Sequence, residues 1–525
     1  MAKIELFIAL LTAVVLLAAL ARRLPVPHPI VLVLGGLGLG FVPGAPNIRL
    51  DPNVVFFVFL PPLVYAAGFL SSSEELQANA RSVFLLATGL VLMTMAGIAV
   101  VAHELTGISW GAAFVLGAVL GPTDPIAATA VAGRLGAPQR LSTILQGEAL
   151  VNDGTGLAVF KIAVGVTLAG SFSLASSVGE FFKISAGGIA VGLGVAFITG
   201  RVRRRIDEPE LEVTTSLITA YAAYLVADRL GLSGVLASVA AGLYVSRSAS
   251  ELLGPATRIE SYSFWEVTTF ILESLLFLLV GLEFPTLVSD LEGLSAGTLV
   301  GYAAALTGAA ILLRFAWMFT VPYLTSFIDE RRGRGRSRLS SRERAVLGWS
   351  GMRGGVSLAA ALSIPLATAT GASFPDRPLV ILLAYTTVIG TLVPTGLTLP
   401  FLIQKLGLAR PEAARARNLE ARRRLVEAAL ARASELEDEE ELPERAVERA
   451  REIYDLRLRR LRTRLGAEED GDGQEDPDAY RRVRREMLRA ERGELSKLRR
   501  ERKVPGELAR EIERDLDYEE SRLTG

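Results

Sequence analysis

Between Glu5 and Ile403 one pattern recurs along the chain: roughly 20 apolar residues, then a short polar or basic turn. Roughly 20 residues at about 1.5 Å each cross about 30 Å of hydrocarbon as a helix. The pattern predicts about thirteen membrane-spanning helices, near 5–23, 28–42, 51–70, 82–106, 109–134, 141–170, 176–200, 211–229, 231–247, 259–282, 295–325, 344–368 and 378–403. After Leu406 the pattern gives way to Arg, Glu, Ala and Leu. The expected fold is therefore an all-α polytopic membrane protein, with a transmembrane domain at 1–404 and a helical cytoplasmic tail at 405–525.

The turns themselves are asymmetric. Arg22 and Arg23 follow the first span, Arg134 and Arg140 the fifth, Arg201 and Arg203 to Arg205 the seventh, and Arg247 and Arg258 the ninth. The eleventh is followed by Arg331, Arg332, Arg334, Arg336, Arg338, Arg342 and Arg344. The even-numbered exits, such as 171–177 and 283–297, carry few basic residues. Basic turns stay in the cytoplasm, which predicts an outer N-terminus and a cytoplasmic tail in the cell membrane. Lys3 and Ala19-Leu20-Ala21 imitate a secretory signal, but Arg22 and Arg23 follow at once, so the first span is read as retained. Gly-rich runs such as Gly35 to Gly40 predict close helix packing in lipid.

Composition narrows the function. Half of the 525 residues are hydrophobic, and mean hydropathy is +0.38. Basic and acidic residues balance at 56 each, and the arginines act as orientation signals, so nucleic acid is not a predicted partner; membrane lipid is. The chain has no cysteine, which excludes disulfides and thiol chemistry. Its two histidines, His28 and His103, do not make a zinc motif, and no cofactor is expected. In the tail, 422–465 has Leu and Val at helical spacing, 468–477 is an acidic linker, and further helical stretches follow at 478–503 and from Pro505 to Leu523. The tail carries no catalytic constellation and reads as a small helical bundle with a regulatory or dimer-stabilising role.

A charge inside a span costs several kcal/mol, so it marks a functional candidate. Asp124 lies in the fifth span, in Gly121-Pro122-Thr123-Asp124-Pro125. Pro122 and Pro125 each remove a backbone donor, which predicts a broken helix. Broken backbone at membrane depth lines a cavity and exposes carbonyls and half-helix ends suited to ions. Asp153 lies in the sixth span beside Asn152. A carboxyl group starved of water holds a proton tightly, and its oxygens also suit a small hard cation. Proton and cation then compete for one site. Asn152 adds polar capacity without a second charge and is expected to tie to Thr123 across the break.

Glu148 lies five residues before Asp153, so it points about 140° away on the helix. Arg353, in Gly351-Met352-Arg353-Gly354-Gly355, is expected to be its buried ion-pair partner. Gly351, Gly354 and Gly355 also suggest a second break, in the twelfth span, mirroring the fifth as inverted repeats do. The run Gly390 to Gly396 in the last span competes for that role. Lys161, Glu266, Glu273 and Arg314 are further intramembrane charges, read as structural.

These motifs resemble those of the sodium/proton exchangers in the monovalent cation:proton antiporter family. The similarity spans roughly 1–405 and rests on G-P-T-D-P-I-A, G-E-A-L-V-N-D-G and G-M-R-G-G-V-S-L in that order, with L-P-P-L-V-Y-A-A-G from Leu60. The resemblance implies that Asp153 and Asp124 bind the cation, Na+ or else Li+ or K+, in competition with H+. It implies that Asn152 and Thr123 support the unwound crossing and that Glu148 and Arg353 form an ion pair. It further implies electroneutral one-for-one exchange by a homodimer with alternating access. Two positions depart from some relatives: Ala66 stands where they carry an acid and Ala149 where they carry serine. Both changes remove possible ion ligands.

Competing readings are an intramembrane aspartyl protease, an ion sensor that signals through the tail, and a transporter of another solute. The protease needs a shared-proton aspartate dyad and a G-x-G-D pattern, which is missing around Asp153.

Overall fold

The computed structural model describes residues 2–24, 26–43, 51–206, 208–289, 295–331, 339–367, 373–437, 444–464 and 486–495, with isolated positions beyond. They fall into two compact units, residues 1–411 and 412–525. Among the described residues all regular structure is helical, apart from one antiparallel bridge between Ala367 and Ser373.

The first unit contains α1 (Ala2–Ala21), α2 (His28–Gly40), α3 (Pro52–Phe69), α4 (Ser73–Ala78), α5 (Ala80–Thr106), α6 (Trp110–Leu120), α7 (Ile126–Arg134) and α8 (Gln139–Ala169). It continues with α9 (Leu174–Arg203), α10 (Pro209–Arg229), α11 (Gly234–Leu252), α12 (Pro255–Ser289), α13 (Ala296–Arg331), α14 (Ser341–Trp349), α15 (Gly355–Leu362) and α16 (Arg377–Lys405). Each predicted span falls on one of these helices, or on the pair α6 and α7, or on the pair α14 and α15. By length and composition, α1, α3, α5, α8, α9, α12, α13 and α16 are long and apolar enough to cross a membrane among the described residues. Helices α2 and α6 are apolar but shorter. Large apolar side chains such as Phe7, Leu16, Phe197, Ile198, Val300 and Leu312 stay exposed on the outside of the unit, an apolar surface suited to lipid.

Glycine sets the helix spacing. A Cβ on Gly36 of α2 would strike the backbone of Leu278 in α12, and one on Gly281 of α12 would strike Val33 in α2. The same reciprocal approach joins Gly68 of α3 to Val239 in α11, and Gly242 of α11 to Tyr65 in α3. With no hydrophobic drive between helices in lipid, close backbone packing supplies the cohesion. A satellite cluster of small side chains, including Ala66, Ala196, Ala220 and Ala237 around Trp265, joins α3 to α9, α10, α11 and α12.

Proline decides where backbone groups go free. Helix α3 passes through a π-helical turn at Val55–Phe59 just before Pro61 and Pro62. Pro62 cannot donate to the carbonyl of Val58, and the Tyr221 hydroxyl of α10 donates to it instead at 3.1 Å. Helix α16 runs unbroken through Pro394 and Pro400. The Thr391 and Thr395 hydroxyls of that segment donate back to the carbonyls of Thr387 and Thr391 at 2.9 and 2.5 Å. Gly390 to Gly396 is therefore not the second break.

In the second unit, α17 (Pro411–Glu437) and α18 (Glu444–Arg464) pack through Leu419, Val426, Leu430, Leu458 and Leu461. The helical stretch expected at 422–465 falls on these two helices, with 438–443 outside the described residues. Residues 486–495 are helical. The acidic linker at 468–477 and nearly all of the stretch from Pro505 lie outside the described residues, as do Arg332, Arg334, Arg336 and Arg338.

Candidate functional site at the helix crossing

Two interrupted helices meet in the first unit. Residues 121–125 are non-helical between α6 and α7, and residues 350–354 are non-helical between α14 and α15. The Asp124 amide donates to the Met352 carbonyl at 2.7 Å, which ties one break to the other. The glycines make this approach possible. A Cβ on Gly354 would overlap the Asp124 side chain, and one on Gly351 would overlap Arg314. On the facing helix α8, a Cβ on Gly156 would overlap Pro122, and on α15 one on Gly355 would overlap Leu276 of α12.

Each break leaves a helix C-terminus pointing at the centre, with free carbonyls and a partial negative charge. An arginine answers each one. Arg353 Nε donates to the Leu120 carbonyl at the end of α6 at 3.1 Å, and its Nη1 to the Gly351 carbonyl at 2.8 Å. Arg314 of α13 donates from Nε to the Leu347 carbonyl near the end of α14 at 2.8 Å. At the opposite pole, the Asp124 carboxylate accepts from the Ile126 amide in the first turn of α7 at 3.1 Å. A negative side chain there complements the positive helix end.

Glu148 does not pair with Arg353. Its carboxylate takes both arms of Arg314, Nη1 to Oε1 at 2.5 Å and Nη2 to Oε2 at 2.8 Å, and both side chains are buried. The expected Glu148–Arg353 pair is corrected accordingly. Arg353 is used up on the Leu120 and Gly351 backbone carbonyls, whereas Arg314 presents its planar fork to the carboxylate. The sequence contained the signal: Glu148 needed a cation, and Arg314 was the other arginine deep within a span.

Thr123 and Asn152 link this pair to the break. The Thr123 hydroxyl donates to Glu148 Oε1 at 2.6 Å. Asn152 Nδ2 donates to the Thr123 carbonyl at 2.5 Å and lies 3.1 Å from the Thr123 hydroxyl. A carbonyl accepts only, so this contact fixes the amide orientation. Asn152 Oδ1 is left buried without a hydrogen-bond partner. Asp124 and Asp153, by contrast, keep part of their surface accessible. Glu273 of α12, which the sequence reading treated as structural, is half-buried as well. Ala149 is half-buried one turn before Asp153, and Ala66 is fully buried in the small-residue cluster of α3. Among the described residues no three His, Cys, Asp or Glu side chains converge as a divalent-metal cluster would require.

Crossed, interrupted helices around buried and half-buried acids, inside a bundle of apolar helices, define an ion-handling secondary transporter. A sequence profile of the sodium/hydrogen exchanger transmembrane region matches residues 9–405, and the chain belongs to that family. It is 33% identical over 520 residues to an uncharacterized Na+/H+ exchanger of Mycobacterium tuberculosis, covering 98% of this chain and 95% of that one. It is 32% identical to a sodium, potassium, lithium and rubidium/H+ antiporter of Bacillus pumilus, over 76% of this chain and 62% of the relative. The solved sodium proton antiporter MjNhaP1 of Methanocaldococcus jannaschii has the same fold, with a TM-score of 0.60 and 20% identity over 77% of this chain and 97% of that one. The protein is thus a multi-pass membrane antiporter of cations and protons, not an enzyme, and the ions it moves are substrates. The protease reading is not favoured.

Proposed function

We propose that this antiporter exchanges one monovalent cation, Na+ first among them, for one H+ at Asp153 with Asp124. The observation that carries this reading is the orphaned Oδ1 of Asn152, a buried acceptor on the residue before Asp153, whose amide nitrogen is already spent on Thr123. Bare carbonyl and carboxylate oxygens are what an alkali ion asks for, and burying an unpaired acceptor costs about 1–3 kcal/mol. The crossing otherwise needs no added charge, because Arg353 and Arg314 cap the carbonyl ends and Glu148 neutralises Arg314.

The mechanism follows from competition. With H+ on Asp153 the site is neutral and can move between the two faces of the membrane. A cation displaces that proton and restores neutrality, so it moves too. The empty site carries an uncompensated charge in a medium that penalises it, which couples the two fluxes. Thr123 and Asn152 hold the unwound strand in place, and the Met352 carbonyl fixes Asp124. The Bacillus relative makes Li+ and K+ further candidates. The working form is a homodimer, with the N-terminus outside and the tail in the cytoplasm.

Purified protein in vesicles with an internal pH dye tests the reading. Addition of Na+ should collapse a preset proton gradient, and Asp153→Asn should abolish the response while the variant still elutes and unfolds like the parent. Full-rate exchange in Asp153→Asn would end the proposal.

A further inference from the structure

Two cavities lie beyond Asp153 on the face that carries the 171–177 turn, the outer face in the proposed orientation. The inner one, about 160 Å3, is lined by Asn53 and Phe57 of α3, Leu157 of α8, Tyr224 of α10, Val235 of α11 and Ser363 at the end of α15. Leu157 is one turn past Asp153, so the floor of this cavity lies about 6 Å along the helix from the acid. The outer one, about 520 Å3, is lined by Gly165 and Ala169 of α8 and by Ser173, Ser177 and Glu180. Lys161 and Ile184 line both cavities, so the two adjoin at these side chains, which we take as the neck between them.

At that neck Lys161 Nζ of α8 meets Asp228 Oδ1 of α10 at 3.1 Å. Asp228 also lines the inner cavity, and both side chains are partly solvated, at 45% and 32% exposure. Neither residue takes part in the crossing. Helix α8 carries Asp153, whereas α10 belongs to the small-residue cluster with α3, α9 and α11. The pair therefore joins the helix that holds the ion site to a helix that does not.

Resting on the antiport reading, we propose that Asp228 is an access site for the transported cation on this face, held in this structure by the Lys161 ammonium as a tethered substitute. A hydrated alkali cation arriving from the outer cavity competes with that ammonium for the carboxylate. Winning it releases Lys161, parts α8 from α10 and opens the neck toward Asp153. The pair is thus an ionic gate that also sets how strongly the cation is drawn in from one side. Apolar walls at Phe57, Leu157 and Val235 leave Asp228 as the first fixed anionic ligand below the neck.

The test uses the full chain in vesicles, with Na+ supplied to one face at a time. Lys161→Gln frees Asp228, and the half-saturating Na+ on the 171–177 face should fall about two- to five-fold, the range of a partly solvated ion pair. Asp228→Asn should raise it by a similar factor, and neither variant should change the value on the opposite face. The chain has no native cysteine, so Lys161→Cys with Asp228→Cys offers a unique pair for a short bis-methanethiosulfonate, which forms a disulfide with each thiol and releases sulfinate. Bridging them should stop exchange, and a reductant should restore it. Unchanged half-saturation in Lys161→Gln, equal changes on both faces, or full-rate exchange across the bridge would each overturn the gate. If the parent protein moves no protons in response to Na+, the antiport reading itself has failed. If the parent exchanges and Asp153→Asn is silent, any of those three results removes the gate alone.

Discussion

Glu148, Arg314, Thr123 and Asn152 form a continuous hydrogen-bonded line from a buried ion pair to the unwound backbone. The strength of such a line lies in its completeness, since an orphaned buried charge is far costlier than a missing pair. Arg314→Met should therefore destabilise the protein by about 3–5 kcal/mol, and adding Glu148→Leu should recover most of that loss. Thermal unfolding in detergent reads both. A double-mutant cycle should find coupling above about 1 kcal/mol between positions 148 and 314, and little between 148 and 353. Strong coupling of 148 to 353 would contradict the geometry. The need for a partner was legible from Glu148 alone, because a carboxylate in a span demands one. Its identity was not, because Arg353 and Arg314 are both arginines within spans. Only the folded arrangement shows that Arg353 is consumed by the Leu120 and Gly351 carbonyls.

The broken helices depend on glycine as much as on proline. Gly354 provides room for Asp124, and Gly156 provides room for Pro122. Gly354→Ala must push either Asp124 or the second break aside. Exchange should fall at least about tenfold, with a stability loss of about 1–3 kcal/mol from overpacking. Gly194→Ala is the matched control. It lies within α9 with open space at its Cβ, so it should leave exchange intact and stabilise the helix by up to about 1 kcal/mol. Equal damage in both variants would show that helix breaking at 354 has no special role. At this scale the fifth-span break was readable from Pro122 and Pro125, since the missing donors are written in the residue types. The second break was ambiguous between 351–355 and 390–396. Prolines 394 and 400 did not interrupt α16, because tertiary packing and threonine back-bonding hold that helix together.

All of the crossing residues lie in the unit that ends at residue 411, and the second unit builds its own small core. A chain stopped after Pro411 should keep its cation-driven proton movement in vesicles, within about threefold of the full chain if the tail only regulates. Loss of all exchange with the truncated unit still folded would assign the tail a part in transport. One-for-one exchange gives a second expectation for the whole protein. With Na+ as substrate, a membrane potential set by valinomycin and K+ should leave the rate unchanged, because no net charge crosses. A rate that follows the potential would rule out the one-for-one ratio.

Hydrophobic blocks, intramembrane acids and proline spacing are properties of the chain before it folds. They were enough to state the all-helical membrane class and the first helix break, and to single out Asp124, Asn152 and Asp153 as candidates for its chemistry. They suffice because water, lipid and a missing amide proton act on each residue locally. Which arginine neutralises Glu148, which glycine run breaks, and that Lys161 meets Asp228 at a cavity neck are questions of distance between segments far apart in sequence. Side chains of one type are interchangeable on paper, so those choices were made only when the helices packed.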